Sequence, residues 1–186
     1  MVLPIVAYGD PVLRKVGVEI SKDYPELAKL LDDMFETMEK SKGVGLAAPQ
    51  INRAIRLFVI DSTRIYDEED GPNPGIREVF INAKMIKETG DDWPYEEGCL
   101  SIPNIREDVY RNETIKIEYL DRDFKKQTKE FNGLTARVIQ HEYDHIEGKL
   151  FIDHLKPLKR SLLKGRLDKI SKGIVDVSYK MKFPKK

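Results

Sequence analysis

The chain has 186 residues, of which 32 are Lys or Arg, 32 are Asp or Glu, three are His and one is Cys. This length suits a single domain with its own core, and a composition of 40% hydrophobic and 34% charged residues excludes a disordered or fibrous chain. One cysteine excludes an intrachain disulfide, a CxxC redox pair and a Cys-rich structural zinc site.

The first element in chain order is an amphipathic helix over residues 23–42. An Asp-x-x-Glu capping pattern begins at Asp23, apolar residues follow at helical spacing, and Gly43 is expected to end the helix. A polar stretch at 66–75 predicts a surface loop. Strands are predicted at 55–61, 79–88, 106–111, 114–121 and 127–132.

Two further helices and a last strand follow. Over residues 134–147, Leu134, Val138, His141 and His145 lie along one stripe of a helix that Gly148 ends. A third helix is predicted at 157–171, with five apolar residues opposite a basic face, and a final strand at 175–183. The pattern predicts an α+β fold, with mainly antiparallel strands around a central helix, an N-terminal helix and a basic C-terminal helix.

The N-terminus and the charge distribution bear on location and partners. The first ten residues lack the features of a secretory signal, and no apolar run is long enough to span a bilayer, so we expect a cytoplasmic protein with no membrane partner. Residues 155–186 carry eleven basic and two acidic residues, a net charge of +9 that the rest of the chain balances. This tail indicates a polyanionic partner or, equally, a solvated helix face.

The sequence HEYDH at 141–145 predicts a metal site on the central helix. Residues four apart on a helix have Cβ atoms about 5–6 Å from each other, so His141 and His145 can bind one cation. Glu142 then lies beside the open coordination position, where it can act as a general base on water. The competing interpretation is a pair of core histidines bonded to other polar groups, since HExxH also occurs by chance.

A catalytic zinc-type site needs a third protein ligand, and the two peptidase patterns do not supply it. The long HExxHxxGxxH pattern requires His where Phe151 stands, and the thermolysin-like pattern requires a downstream Glu, although none follows Glu147. The remaining candidates are Cys99, Asp153, His154, Asp168 and Asp176.

Three segments together resemble the signature motifs of peptide deformylases, in the same order and with similar separations. They are GVGLAAPQ at 43–50, EGCLS at 97–101 and HEYDH at 141–145. The resemblance implies one catalytic domain over 1–186, with about 157–186 as a basic C-terminal extension. It also implies a hydrolase that removes the N-formyl group from N-terminal formylmethionine of new polypeptides.

The resemblance assigns roles to individual residues. Cys99, His141 and His145 would bind the metal. The resemblance implies Fe²⁺ as the ion in the cell, and Zn²⁺, Ni²⁺ or Co²⁺ suit the same site in purified protein. Donors to the developing oxyanion would be the Gln50 side chain and the Leu100 backbone N–H, with a close backbone contact from Gly45. His154 is left over and is expected to be structural.

Substrate contacts follow from the same segments. An unbranched methionine side chain suits a pocket lined by Val44, Tyr95, Leu134 and Val138 beside His141. Family members align the peptide as an added strand along the Glu97 and Gly98 backbone. We further expect Glu97 to pair with Arg106 and so support the cysteine loop.

Two other functions remain as alternatives. One is an HExxH metallopeptidase that cuts an internal amide, and the other is a non-catalytic module that binds formylated peptides. The nascent-chain substrate suggests the ribosome as the polyanion that contacts the basic tail, and we expect no sequence-specific DNA partner.

Overall fold

A five-stranded antiparallel sheet forms the centre of the computed structural model, which describes residues 1–66 and 74–185. Its strands are β2 Gly45–Ala47, β3 Leu57–Asp61, β4 Arg77–Cys99, β5 Ile102–Leu120 and β6 Lys126–Asn132. Each of these strands pairs with the next in the chain. A separate parallel pair joins β1, Ile5–Val6, to β7, Met181–Lys182.

Three α-helices accompany the sheets in the described part of the chain: α1 Leu27–Lys40, α2 Gly133–Ile146 and α3 Pro157–Ser171. Short 3₁₀ helices occur at Pro11–Arg14, Ala48–Ile51, Ser62–Ile65 and Phe151–His154. The predicted α+β fold is therefore confirmed. No helix in the described ranges combines the length and the apolar character needed to cross a membrane.

The central sheet has a helix on each face, because side chains alternate along a strand. Leu57 and Val59 of β3 pack in the same apolar layer as the buried face of α1. Phe58 and Ile60 point the other way, into the layer that contains Ala136 and Ile139 of α2. The sheet thus fixes α2, which carries the HExxH residues, against its second face.

The first helix differs from its prediction at both ends. It begins at Leu27, because Glu26 adopts a left-handed conformation with φ 53° and makes no side-chain cap, so the predicted start at Asp23 is wrong. At the other end, Lys42 supplies the left-handed residue with φ 58°. The Gly43 N–H then donates to the Met38 carbonyl at 2.9 Å.

The strand predictions underestimated one hairpin. Segments 79–88, 106–111 and 114–121 belong to only two strands, β4 and β5, which pair from Ile81↔Leu120 to Cys99↔Ile102. Much of this hairpin is exposed and polar, so its sequence lacks the alternating apolar pattern on which strand prediction depends. Cys99 is the last residue of β4, and Leu100 and Ser101 form the turn.

The C-terminal segment is helical as predicted, but its apolar face is narrower. Leu163, Leu167 and Ile170 are buried, whereas Leu158 and Leu162 are each 74% exposed. The predicted last strand over 175–183 is reduced to the two residues of β7. Of the loop predicted at 66–75, residues 67–73 lie outside the described part of the chain.

Candidate active site

Cys99, His141 and His145 converge on one point between the β4–β5 turn and α2. Their potential ligand atoms all lie within 4.8 Å of one another. The Cys99 Sγ atom lies 3.3 Å from Nε2 of His145. Two histidines one helical turn apart and a thiol from the hairpin turn therefore form a three-donor cluster.

The end of α2 is held in place by the N-terminal segment. Gly148 adopts a left-handed conformation with φ 70°, and the next residue, Lys149, donates its N–H to the Asp144 carbonyl at 2.8 Å. A Cβ at Gly148 would lie 2.6 Å from the Arg14 carbonyl oxygen. Only glycine allows this close approach, which orders the last turn of α2 that contains His145.

Glu142 is buried beside the cluster with one carboxylate oxygen left over. Within the described residues, its Oε2 atom has no hydrogen-bond partner. Burial raises the pKa of Glu142 to about 7 in the metal-free protein, although His141 and His145 act in the opposite direction. A carboxylate that takes up and releases a proton near neutral pH is suited to acid–base catalysis.

His141 is oriented by Glu97 through its second ring nitrogen. The His141 Nδ1 atom lies 2.9 Å from Glu97 Oε2, which leaves Nε2 on the side of the donor cluster, toward Cys99. Arg111 donates to both Glu97 oxygens at 2.7 and 3.0 Å, and Arg137 donates to the same carboxylate at 3.2 Å. The expected pairing of Glu97 with Arg106 is therefore wrong.

Arg106 has another partner because alternate residues of β4 face opposite ways. Its Nε atom donates to Glu96 at 2.7 Å on the exposed face, while Glu97 points inward. The helical residue Arg137 was missed, although it lies one turn before His141 on α2. Arg111 was missed because its partners come from three separate segments.

The buried charges continue from Arg111 to Asp144 and His154. Arg111 donates to Asp144 Oδ2 at 2.8 Å, and His154 Nε2 lies 2.7 Å from the same oxygen. His154 therefore lies in this network and outside the three-donor cluster. Asp153, another candidate ligand, instead pairs with Arg14.

The pKa values of Cys99 and His141 are shifted in opposite directions, and both shifts favour the charged side chain. Burial raises the pKa of the Cys99 thiol, but the nearby His145 and His141 outweigh burial and lower this pKa to about 5. Burial lowers the pKa of His141, but the hydrogen bonds with Cys99 and Glu97 outweigh it and raise this pKa well above its ordinary value. Cys99 thus favours the thiolate, which is the form that binds metal, whereas His141 favours its protonated form and would release that proton on binding a cation.

Gln50 is fixed with its amide N–H₂ directed at the cluster. Its Oε1 atom accepts a hydrogen bond from the Ala47 N–H at 2.8 Å. Its Nε2 atom therefore faces Cys99 Sγ at 3.4 Å and Ser101 Oγ at 3.3 Å. The side chain therefore presents an amide donor to the cluster.

An open cleft of about 630 Å³ leads to the cluster. All of the residues predicted to bind substrate line it: Val44, Tyr95, Glu97, Gly98, Leu134 and Val138. The predicted Gly45, Gln50, Leu100 and Glu142 line it as well. Along the part of β4 that contains residues 95–99, strand pairing in the described structure involves β5 alone, and this stretch lines the cleft.

The cleft also contains residues that the sequence did not indicate. Ile65 and the C-terminal residues 176–179 contribute to its wall. The Tyr179 hydroxyl donates to the Leu100 carbonyl at 2.7 Å. No local pattern marks these residues, because tertiary contacts, among them the pairing of β7 with β1, bring the end of the chain to the cleft.

Known proteins share this sequence and architecture. The family model described as polypeptide deformylase matches residues 2–161. The chain belongs to the peptide deformylase family. A peptide deformylase from Cytophaga hutchinsonii is 58% identical over 99% of this chain and 98% of its own, and one from Flavobacterium johnsoniae is 54% identical over 98% and 96%.

A solved peptide deformylase has the same fold. The crystal structure of the enzyme from Legionella pneumophila aligns with a TM-score of 0.80 at 38% identity, covering 92% of this chain and 96% of that one. Peptide deformylases are metal-dependent enzymes, and one thiolate and two imidazoles suit a divalent transition metal. The cluster and the unpartnered Glu142 oxygen beside it fit such an ion.

Proposed function

We propose that this member of the peptide deformylase family hydrolyses the N-formyl group of N-terminal formylmethionine on newly made polypeptides. Water adds to the formyl carbon, the formyl C–N bond breaks, and formate and a free amine are released. The observation that carries this mechanism is the buried Glu142 carboxylate, whose Oε2 atom is unpartnered in the described structure beside the Cys99–His141–His145 cluster.

We assign the metal to Cys99, His141 and His145. The bound ion would supply Lewis acidity, which polarises the formyl oxygen and makes water a stronger nucleophile. Fe²⁺ is our proposal for the ion in the cell, and Zn²⁺, Ni²⁺ and Co²⁺ suit the same donors in purified protein. Glu97 would hold the His141 ring in position through the Nδ1 hydrogen bond of 2.9 Å.

Glu142 is assigned as the residue that moves the proton. Its carboxylate takes a proton from the attacking water and passes it to the leaving amine nitrogen. A pKa of about 7 in the metal-free protein, caused mainly by burial, is compatible with both transfers. Gln50 Nε2 and the Leu100 N–H would donate to the oxyanion that forms on the formyl group.

The substrate is proposed to lie along the stretch of β4 that lines the cleft. The Glu97 and Gly98 backbone would pair with the peptide, and the methionine side chain would enter the pocket formed by Val44, Leu134 and Val138. Tyr95, which is 37% exposed at the cleft, would contact the chain near the pocket entrance. The Gly45 backbone would approach the formyl group closely.

We further propose that residues 1–186 act as one catalytic domain in the cytoplasm, with 157–186 as a basic extension. Pairing of β7 with β1 supports this unit, since it joins the two ends of the chain.

The basic face of α3 would contact ribosomal RNA. Co-sedimentation with ribosomes should therefore weaken with added salt, and binding that is indifferent to salt and to deletion of residues 157–186 would remove this partner.

The test of the reaction is formate release from formyl-Met-Ala-Ser by protein loaded anaerobically with Fe²⁺ or with Ni²⁺. The parent should release formate. Glu142→Gln should release it about 10²–10⁴-fold more slowly while it retains its metal. A parent without formate release, or a fully active variant, would contradict the proposal. Cleavage of an internal peptide bond would favour a metallopeptidase, and binding without turnover would favour a formyl-peptide-binding module.

A further inference from the structure

The C-terminal strap, residues 175–183, returns to the cleft after α3. Asp176, Val177, Ser178 and Tyr179 line the cleft. The strap lies outside the part of the chain matched by the family model, which ends at residue 161. Its contacts with the active site therefore lie outside the segment that carries the family motifs.

The strap is anchored on both sides of Tyr179. The Ile5 N–H donates to the Lys180 carbonyl at 2.9 Å, and the Ala7 N–H donates to the Lys182 carbonyl at 2.8 Å. Before Tyr179, the Asn104 side chain donates to the Asp176 carbonyl at 3.1 Å. These bonds fix the backbone from which Tyr179 reaches the β4–β5 turn.

Two hydrogen bonds from outside the hairpin converge on that turn. The Tyr179 hydroxyl donates to the Leu100 carbonyl at 2.7 Å. The Tyr8 N–H donates to the next carbonyl, that of Ser101, at 2.8 Å. The two terminal segments of the chain therefore hold the carbonyl groups of the two residues that follow Cys99.

The turn needs such external support. The pairing of β4 with β5 is irregular between Gly98 and Cys99, so the strand ladder alone does not define the Cys99 backbone. The Leu100 side chain packs in the same apolar layer as Tyr179. It also lies against Gly43, where an added Cβ would be 2.8 Å from Leu100 Cδ1. A change in the Leu100 conformation would move both the Cys99 thiolate and the Leu100 N–H.

We propose that Tyr179 is a positioning residue for deformylation, which acts through its hydrogen bond to the Leu100 carbonyl to hold the Cys99–Ser101 turn in its reactive geometry. This inference rests on the proposed function, because it takes Cys99 as a metal ligand and Leu100 as an oxyanion donor. Tyr179 itself need not touch the reacting atoms.

The test is Tyr179→Phe, which removes the hydroxyl and keeps the ring. In nickel-loaded protein, kcat for formyl-Met-Ala-Ser should fall about three- to tenfold, the range expected for one hydrogen bond, with KM within about twofold of the parent. Hydrogen exchange of the amides in residues 99–102, measured by mass spectrometry, should become severalfold faster. Nickel content should stay at the parent value, and Tm should fall by no more than about 2–5 °C, the shift expected for one hydrogen bond.

Tyr110→Phe is the matched control, since Tyr110 is 62% exposed and pairs with Pro94, away from the Cys99–Ile102 end of the hairpin. It should leave kcat and exchange unchanged. Parent-like kcat and exchange in Tyr179→Phe would overturn the proposal. A parallel loss of Tm, nickel and kcat would also overturn it, because the residue would then be merely structural.

Failure of the proposed function gives a different result. If the nickel-loaded parent releases no formate, the reaction assignment fails, and hydrogen exchange alone decides whether Tyr179 holds the turn. Unchanged exchange at residues 99–102 would then refute the positioning role as well.

Discussion

Gly45 faces Glu142 so closely that a Cβ at position 45 would lie 2.7 Å from both Cγ and Cδ of the glutamate. The glycine is therefore required by the space that the carboxylate occupies. We predict that Gly45→Ala displaces the Glu142 carboxylate and lowers kcat for formate release by about 10², because displacement of a catalytic group by about 1 Å has a cost of that order.

The metal content of Gly45→Ala should match the parent, since Gly45 provides no ligand. Gly165→Ala is the control, because a Cβ at that position of α3 meets nothing within 4 Å. Formate assays and metal analysis of both variants check the prediction, and a Gly45→Ala enzyme with parent-like kcat would contradict it.

Glu97→Gln should weaken metal binding. The substitution removes the negative charge that orients His141 and that pairs with Arg111, and loss of such an outer partner lowers metal affinity about 10–100-fold. Competition for Zn²⁺ with a calibrated chelator measures the change. Glu96→Gln, which alters only an exposed pair with Arg106, should keep the parent affinity. Equal affinities for the two variants would refute the role of Glu97.

Cys99→Ala should abolish stable metal binding, whereas His154→Gln should not. Cys99 Sγ lies 3.3 Å from the His145 Nε2 atom, while His154 is bound to Asp144 at 2.7 Å. Metal analysis after dialysis distinguishes them, and addition of Zn²⁺ should raise the Tm of the metal-free parent and of His154→Gln only. Metal retention by Cys99→Ala would show that the ligand assignment is wrong.

Asp153 should stabilise the fold in a pH-dependent manner. Burial raises its pKa, but Arg14 and the Leu150 N–H outweigh burial, so the folded-state pKa lies below the ordinary value. The stabilisation is therefore complete above about pH 4, the unfolded value, and is lost as the pH falls through the folded-state pKa.

We predict that Asp153→Asn is less stable than the parent by about 0.5–1 kcal/mol at pH 7, because it loses the charge opposite Arg14. The difference should shrink below about pH 4. Urea unfolding of both proteins from pH 3 to pH 7 measures it. When Asp153→Asn is made in the Arg14→Gln variant, it should lower the free energy of unfolding by less. A stability difference between parent and Asp153→Asn that does not change with pH would contradict the assignment.

Features that depend on residues close together in the chain were predictable from the sequence, whereas contacts between distant segments were not. The helix with His141 and His145 was predictable, since its spacing and its stop at Gly148 are local features. The partner of Glu97 was predicted wrongly as Arg106, because the inward or outward direction of each side chain depends on the register of β4 and β5. The exposed length of that hairpin was missed because its polar residues resemble those of turns.

The sequence alone determined the α+β pattern, the family resemblance and the residue types of the candidate site, because these depend on short motifs and local periodicity. Only the tertiary structure decided that Arg111 and Arg137 hold Glu97 and that Tyr179 reaches Leu100. These contacts join segments that are distant in the chain. They depend on strand register and on the pairing of the two chain ends, which no local pattern encodes.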